Sequence, residues 1–136
     1  MDPTKPMILV VDDEPANIKL LQVYLSSSGY EPLSAVDGQD ALGKFSRQKV
    51  DMVVLDVMMP NMDGLSVCRQ LRSDPKNNTL PILILTGMGA DSDIVKALEA
   101  GADDYVMKPF VKEELMAKIE TLLSKAKSGS LPGRRR

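Results

Sequence analysis

The chain of 136 residues contains no histidine and no tryptophan, and its one cysteine is Cys68. Without histidine, hydrolytic triads and zinc sites that use this residue are excluded. A lone cysteine cannot form an internal disulfide, and there is no histidine to activate its thiol. We therefore expect Cys68 to pack as a small hydrophobic side chain.

Long apolar runs and an excess of one charge are also missing. No stretch approaches the roughly 18 consecutive apolar residues of a membrane span, and positions 1–6 lack the apolar core of a signal peptide. We expect a cytoplasmic protein that does not contact the membrane. Lys and Arg number 17 against 19 Asp and Glu, a formal net charge of −2. That balance gives no general electrostatic footprint for direct nucleic-acid binding.

The length and composition fit one domain. With 43% hydrophobic and 26% charged residues, the chain can bury a substantial core, and we expect a single domain over residues 1–125. Residues 126–136 contain Ser, Gly, Pro and three Arg without apolar periodicity, which predicts a flexible basic tail or the start of a linker. The arginines could contact nucleic acid or anionic lipid, but a solvated linker fits better.

Short hydrophobic runs alternate with segments of helical periodicity. Strands are predicted at 7–11, 31–35, 52–55, 81–85 and 105–107. Apolar residues recur at helical spacing over 16–25, 41–45, 65–71, 94–98 and 115–123. Because parallel strands need crossover connections, this alternation predicts an α/β fold in which a parallel sheet carries helices on both faces.

Polar residues follow several of the predicted strands. Asp12 and Asp13 end the first strand, Asp56 the third, Thr86 the fourth and Lys108 the fifth. Ligands of such sheets bind at the carboxyl ends of the strands, so we expect these side chains to meet at one edge. Burying one of two adjacent carboxylates without a partner costs several kcal/mol, roughly, so a cation is expected beside them.

Three carboxylates from two strand ends suit Mg²⁺, which prefers oxygen ligands and retains several waters. Calcium is less suited, since no calcium-binding loop pattern is present. A carboxylate can also act as a nucleophile and form an aspartyl phosphate when a metal screens the phosphoryl oxygens. Asp56 is the candidate for this role, with Lys108 as a point charge and the Thr86 hydroxyl as a hydrogen-bond donor.

Five motifs occur in order along the chain. They are AspAspGlu at 12–14, AspValMetMetProAsnMetAspGly at 56–64, LeuThrGly at 85–87, GlyAlaAspAspTyr at 101–105 and LysProPhe at 108–110. Over residues 6–125 this set resembles the receiver domain of two-component response regulators, including the chemotaxis receivers. The resemblance implies a flavodoxin-like, doubly wound sheet of five parallel strands in the order 2-1-3-4-5.

The resemblance also assigns roles at the predicted site. It implies that Asp56 is the phospho-acceptor and that Asp13 and Asp56 are direct Mg²⁺ ligands. Asp12 would join mainly through water. The main-chain carbonyl of Met58 would complete the protein ligands, a role that tolerates any side chain.

Further roles follow from the same resemblance. Lys108 matches the lysine that pairs with the phosphoryl group, and its bond to Pro109 is expected to be cis, a geometry that only an X-Pro bond reaches at low cost. Thr86 and Tyr105 match the switch pair, in which the hydroxyl moves toward the phosphoryl group and the aromatic ring turns into the vacated space.

The implied function is a phosphorylation switch rather than a turnover enzyme, although the domain would catalyse its own phosphorylation and dephosphorylation. A sensor histidine kinase or histidine phosphotransfer protein would supply the phosphoryl group. The surface of the fourth helix, fifth strand and fifth helix would regulate a partner or an output domain. The GlyAlaAspAspTyr motif with Lys118 also resembles regulators that form homodimers through this surface.

Other interpretations exist for single residues and for the whole chain. Asp12 or Asp13 could cap the first helix, and Lys108 could simply be solvated. A Mg²⁺-dependent aspartyl-phosphate phosphatase would place a second Asp where Met58 stands. A flavodoxin-type carrier would need a phosphate-binding loop after the first strand and aromatic rings for its flavin. This chain has AspAspGlu at that place, no tryptophan and only 4% aromatic residues. The remaining alternative is a phosphorylation-independent interaction module, against which the intact Asp56 argues together with Thr86 and Lys108.

Overall fold

The computed structural model describes residues 5–57, 63–87 and 91–128, with side chains for all of these except 91–93 and 128. The strands are β1 (Met7–Val11), β2 (Glu31–Ala35), β3 (Met52–Asp56), β4 (Ile82–Thr86) and β5 (Asp104–Met107). The helices are α1 (Pro15–Ser27), α2 (Gly38–Arg47), α3 (Gly64–Arg72), α4 (Asp91–Glu99) and α5 (Lys112–Ser128), with a 3-10 turn at Pro75–Asn77.

The five strands form one sheet in the order β2-β1-β3-β4-β5, and every neighbouring pair is parallel. This confirms the α/β class and the strand order that the resemblance implied. The predicted strand at 81–85 was one residue out of place, because β4 begins at Ile82. Pro81 has no N–H to donate, and only its carbonyl reaches the sheet, accepting from the Val53 N–H at 3.0 Å.

The position of each strand in the sheet follows from its apolar residues. Every residue of β1, β3 and β4 is buried, as expected for central strands covered on both faces. The edge strand β2 is half-exposed over four of its five residues. It also contains Pro32, which an edge strand tolerates because one side of its ladder is unpaired.

Alternate strand residues point to opposite faces and build two cores. One core joins Leu9, Val53 and Ile84 to apolar residues of α2, α3 and α4. The other joins Ile8, Val54 and Leu83 to α1 and α5. The helices therefore cover both faces of the sheet, as predicted from the alternation. Among the described residues, no helix has the length and apolar character needed to cross a membrane.

Two predictions about single elements have clear outcomes. Cys68 is fully buried in the first core, where burial raises the pKa of its thiol to about 11, so its predicted packing role is confirmed. The helix α5 continues to Ser128, so residues 126–128 are helical and were wrongly placed in the tail. Residues 129–136, the rest of the predicted tail, lie outside the described residues.

A buried ion pair ties α3 to the turn before β5. The guanidinium of Arg72 donates to the carbonyls of Gly101 (2.9 Å) and Asn77 (2.7 Å) and to Asp103 Oδ2 (3.0 Å). The same Asp103 oxygen accepts from the Ile82 N–H at 2.8 Å. Gly101 has φ +108°, and a Cβ there would lie 2.6 Å from Arg72 Cγ, so the close approach of the arginine depends on this glycine.

Burial dominates the titration of this pair. It raises the pKa of Asp103 to about 6, although the hydrogen bond from Ile82 and the charge of Arg72 both favour the carboxylate. Burial also lowers the pKa of Arg72. A carboxyl group whose folded pKa lies above its unfolded value stabilises the fold when it is protonated.

We predict that Asp103 makes folding stability fall as pH rises from about 4 to 7. Its contribution is fully present below the unfolded pKa of 3.8 and is lost as pH rises through the folded value of about 6. The free energy of unfolding should therefore decrease across this window by roughly 2 to 3 kcal/mol relative to Asp103→Asn. Urea unfolding of both proteins at four pH values measures the difference, and a constant difference would contradict the prediction.

Candidate functional site

The three predicted carboxylates meet at the carboxyl edge of the sheet. One oxygen each from Asp12, Asp13 and Asp56 lies within 4.8 Å of the other two. The side chains of Asp12 and Asp56 are buried, whereas Asp13 is exposed. They open on a cavity of about 410 Å³ lined by Asp12, Asp13, Glu14, Pro15, Asn17, Asp56 and Lys108. The strand-end rule therefore predicted their convergence correctly.

Lys108 reaches into this cluster from the end of β5. Its Nζ lies 3.2 Å from Asp56 Oδ2 and 3.3 Å from Asp12 Oδ2. Burial lowers the pKa of Lys108, but the Asp56 and Asp12 carboxylates raise it by more, and the net pKa lies above its usual value. The lysine is thus a charged partner of two buried acids, and its interpretation as a solvated side chain is wrong. The Lys108–Pro109 bond is cis, as expected.

Asp12 already has several hydrogen-bond donors. Its Oδ1 accepts from the Glu14 N–H at 3.0 Å, and its Oδ2 accepts from Asn17 Nδ2 and from Lys108 Nζ, both at 3.3 Å. The N-cap of α1 is Glu14, which makes no side-chain capping bond. Asp12 therefore fixes the loop just before the helix and does not cap it. Its burial is compensated by these donors.

Gly64 lets the start of α3 approach the phospho-acceptor candidate. A Cβ at Gly64 would lie only 2.3 Å from the carbonyl oxygen of Asp56 and 3.1 Å from Val57 Cα. The Gly64 N–H donates to the Val57 carbonyl at 3.1 Å, and Asp63 caps the helix through the Ser66 N–H at 2.8 Å. Sequence reasoning assigned little chemistry to Gly64. The signal for this close approach was the glycine itself. It stands at the beginning of a helix, where the backbone does not need the conformational freedom of glycine.

Thr86 and Tyr105 occupy the neighbouring strands. Thr86 ends β4, is buried, and accepts the Lys108 N–H on its carbonyl at 2.7 Å. Tyr105 lies in β5, where it pairs with Ile84 of β4. Its side chain is half-buried against the core below α2, α3 and α4. The strand ends thus bring Thr86 to the same edge as Lys108, while Tyr105 lies further back along β5. Met58, the predicted carbonyl ligand, lies outside the described residues.

The sequence and the fold have close counterparts among known proteins. Residues 8–120 match the family model described as the response regulator receiver domain. The response regulator MprA of Mycobacterium leprae is 51% identical over 120 residues, 88% of this chain and 52% of the relative. The alkaline phosphatase synthesis transcriptional regulatory protein PhoP of Bacillus subtilis is 46% identical over 119 residues, 88% of this chain and 49% of the relative.

Solved structures agree with these sequence matches. The chemotaxis protein CheY4 of Vibrio cholerae has a TM-score of 0.83 and 28% identity, over 88% of this chain and 99% of that protein. The chain spans about half the length of the curated relatives it matches.

We predict that Gly64→Ala disturbs the site and lowers stability by about 1 to 3 kcal/mol, because the new methyl group must displace main-chain atoms of Asp56. The amide signals of Asp56 and Val57 should shift in NMR spectra. Gly43→Ala in α2 is the control, since a Cβ there meets only the end of Arg47 at 3.5 Å. It should leave both signals in place and stabilise α2 by about 0.5 to 1 kcal/mol. Equal behaviour of the two variants would refute this role of Gly64.

Proposed function

Because the chain belongs to the receiver-domain family of two-component response regulators, we propose that it is a switch that accepts a phosphoryl group on Asp56 with Mg²⁺. Receiver domains are signalling domains and not turnover enzymes. The phosphoryl donor is a sensor histidine kinase or a histidine phosphotransfer protein, which supplies the histidine that this chain lacks. The signalling takes place in the cytoplasm.

One observation carries the proposal: the Lys108 ammonium lies 3.2 Å from Asp56 Oδ2 and 3.3 Å from Asp12 Oδ2. A phosphoryl group on Asp56 adds negative oxygens beside this ammonium, which is already positioned and charged. Charge-assisted hydrogen bonds of this kind stabilise a transferring phosphoryl group. A phosphorylation-independent interaction module would have no use for a half-buried lysine held between two acids in this position.

The donor set fits Mg²⁺. Three carboxylates and one ammonium leave the cluster with a net charge of −2, and all the acidic ligand atoms are hard oxygens. Asp13 and Asp56 are the direct ligands in this proposal. Asp12 acts through water, since it already accepts from Glu14, Asn17 and Lys108. The Met58 carbonyl is included on the resemblance alone. The bound ion screens the phosphoryl oxygens from the carboxylates.

The output surface is formed by α4, β5 and α5. In this proposal the Thr86 hydroxyl moves to the phosphoryl group, the Tyr105 ring follows, and the surface changes its affinity for a partner. Homodimerisation through this surface is one result of that change. The curated relatives are about twice as long as the chain, and PhoP is a transcriptional regulatory protein. A downstream output domain is therefore the partner we propose.

The proposed function predicts a phosphorylated adduct that requires Asp56. Incubation with acetyl phosphate and Mg²⁺ should add one phosphoryl group, which intact-mass spectrometry detects. Asp56→Asn is the matched control, because it keeps the size of the side chain but removes the nucleophile. A wild-type protein without the adduct, or an equal adduct in Asp56→Asn, would support the interaction module instead.

Mg²⁺ binding should depend on Asp13 and not on the adjacent Glu14. We expect Asp13→Asn to weaken Mg²⁺ binding by about tenfold or more, since even indirect ligands contribute that much at metal sites. Glu14→Gln removes the same charge from the next residue, which is exposed and is not one of the three clustered carboxylates. It should change the affinity little. Calorimetric titration with Mg²⁺ compares the two variants, and similar losses would show that net charge alone attracts the ion.

A further inference from the structure

The helix α5 directs one lysine at the switch tyrosine of β5. Lys118 Nζ lies 2.7 Å from the Tyr105 carbonyl oxygen and 3.3 Å from Asp104 Oδ1. The same ammonium lies 4.9 Å from the centroid of the Tyr105 ring. A single cation therefore contacts both the main chain and the ring of this tyrosine.

The position of the ammonium does not depend on the ring. Its hydrogen bonds go to the main-chain carbonyl of Tyr105 and to the Asp104 carboxylate, whose Oδ1 also accepts the Tyr105 N–H at 2.8 Å. These groups belong to β5, which is paired with β4, and they stay in place when a side chain rotates. The ring faces a fixed positive charge that its negative π-face attracts. A ring that turns away from Lys118 loses this contact.

We propose that Lys118 is a positioning residue that holds the Tyr105 ring in its half-buried position and opposes the turn that accompanies phosphorylation. The regulatory part of this inference rests on the proposed function, whereas the contact itself does not. A cation–π contact at a partly exposed site shifts the ratio of two ring positions by about two- to fivefold. Because ligands and ring positions are linked, the phosphorylated state is disfavoured by the same factor.

The chain offers a matched control on the same helix. Lys112 Nζ lies 5.5 Å from the centroid of the Tyr24 ring, which itself packs edge-on against Phe110. Lys112→Met therefore removes a contact of the same kind from a tyrosine outside the proposed switch. Its effect should be confined to Tyr24.

The experiment uses the tyrosine rings as reporters. The sequence has three tyrosines and no tryptophan, so ring-labelled protein gives a simple NMR spectrum. The proteins to compare are wild type, Lys118→Met, Lys118→Gln, Lys118→Arg and the control Lys112→Met, each with Mg²⁺ and increasing beryllofluoride as the phosphoryl analogue. A soluble paramagnetic probe reports the exposure of each ring.

In Lys118→Met without the analogue, the Tyr105 ring should become less exposed and its signal should move toward the wild-type position with beryllofluoride. The beryllofluoride concentration at half-saturation should fall about two- to fivefold. Lys118→Arg keeps the cation and should behave as wild type. Lys118→Gln keeps a hydrogen-bond donor for the Tyr105 carbonyl but lacks the charge, so it should behave as Lys118→Met.

Unchanged Tyr105 exposure in the Met and Gln variants would overturn the proposal, as would an equal Tyr105 response in Lys112→Met. A Gln variant that matches wild type would assign the effect to the hydrogen bond instead of the charge, and this too contradicts the proposal. If beryllofluoride binds neither to the wild type nor to any of the variants, the proposed function fails. The exposure measurements without the analogue still decide whether Lys118 holds the ring.

Discussion

The Lys108 ammonium between Asp56 and Asp12 is the interaction on which the site depends. Two buried carboxylates at neighbouring strand ends repel each other, and leaving either without a partner costs several kcal/mol, roughly. The compensating cation comes from the end of β5, which β3 and β4 separate from β1. The observed strand order, with all strand ends at one edge, brings it there. The parallel topology is therefore the condition for the chemistry.

A second buried pair shows what distinguishes a reactive site from a structural one. Arg72 and Asp103 also join an acid and a cation from distant segments, but the Asp103 side chain is fully enclosed. Asp12 and Asp56 instead open on a cavity that holds a third, exposed carboxylate, Asp13. Excess negative charge with access to solvent favours entry of a divalent cation. The enclosed Arg72–Asp103 pair, in which the charges balance, instead links α3 to β5 structurally.

The sequence predicted most of the fold because the central strands β1, β3 and β4 are continuous apolar runs, which placed each of them within one residue. The edge strand β2 is less apolar, and its predicted range of 31–35 was nevertheless correct. The meeting of Asp12, Asp13 and Asp56 followed from the strand-end rule, and carboxylate chemistry made Asp56 the candidate nucleophile. The strand order and the division of the metal roles among the three carboxylates needed the family resemblance. Arg72 and Gly64 were missed. Arg72 contacts Gly101 and Asp103, which lie far along the chain, and Gly64 approaches the main chain of Asp56 at the end of β3. Periodicity predicts neither contact, because it does not tell how two elements approach each other. Lys118 was recognised only as part of a surface, since its contact with the Tyr105 ring depends on the packing of α5 against β5.

Chemical mapping of the phosphorylated residue tests the central claim most directly. Borohydride reduces an aspartyl phosphate to homoserine, which remains in the chain and can be located by peptide sequencing in a mass spectrometer. After phosphorylation in the presence of Mg²⁺, we expect homoserine at position 56 and unmodified aspartate at 12 and 13. Homoserine at position 12 or 13, or a phosphorylated protein with no homoserine at 56, would contradict the assignment of Asp56 as the acceptor beside Lys108.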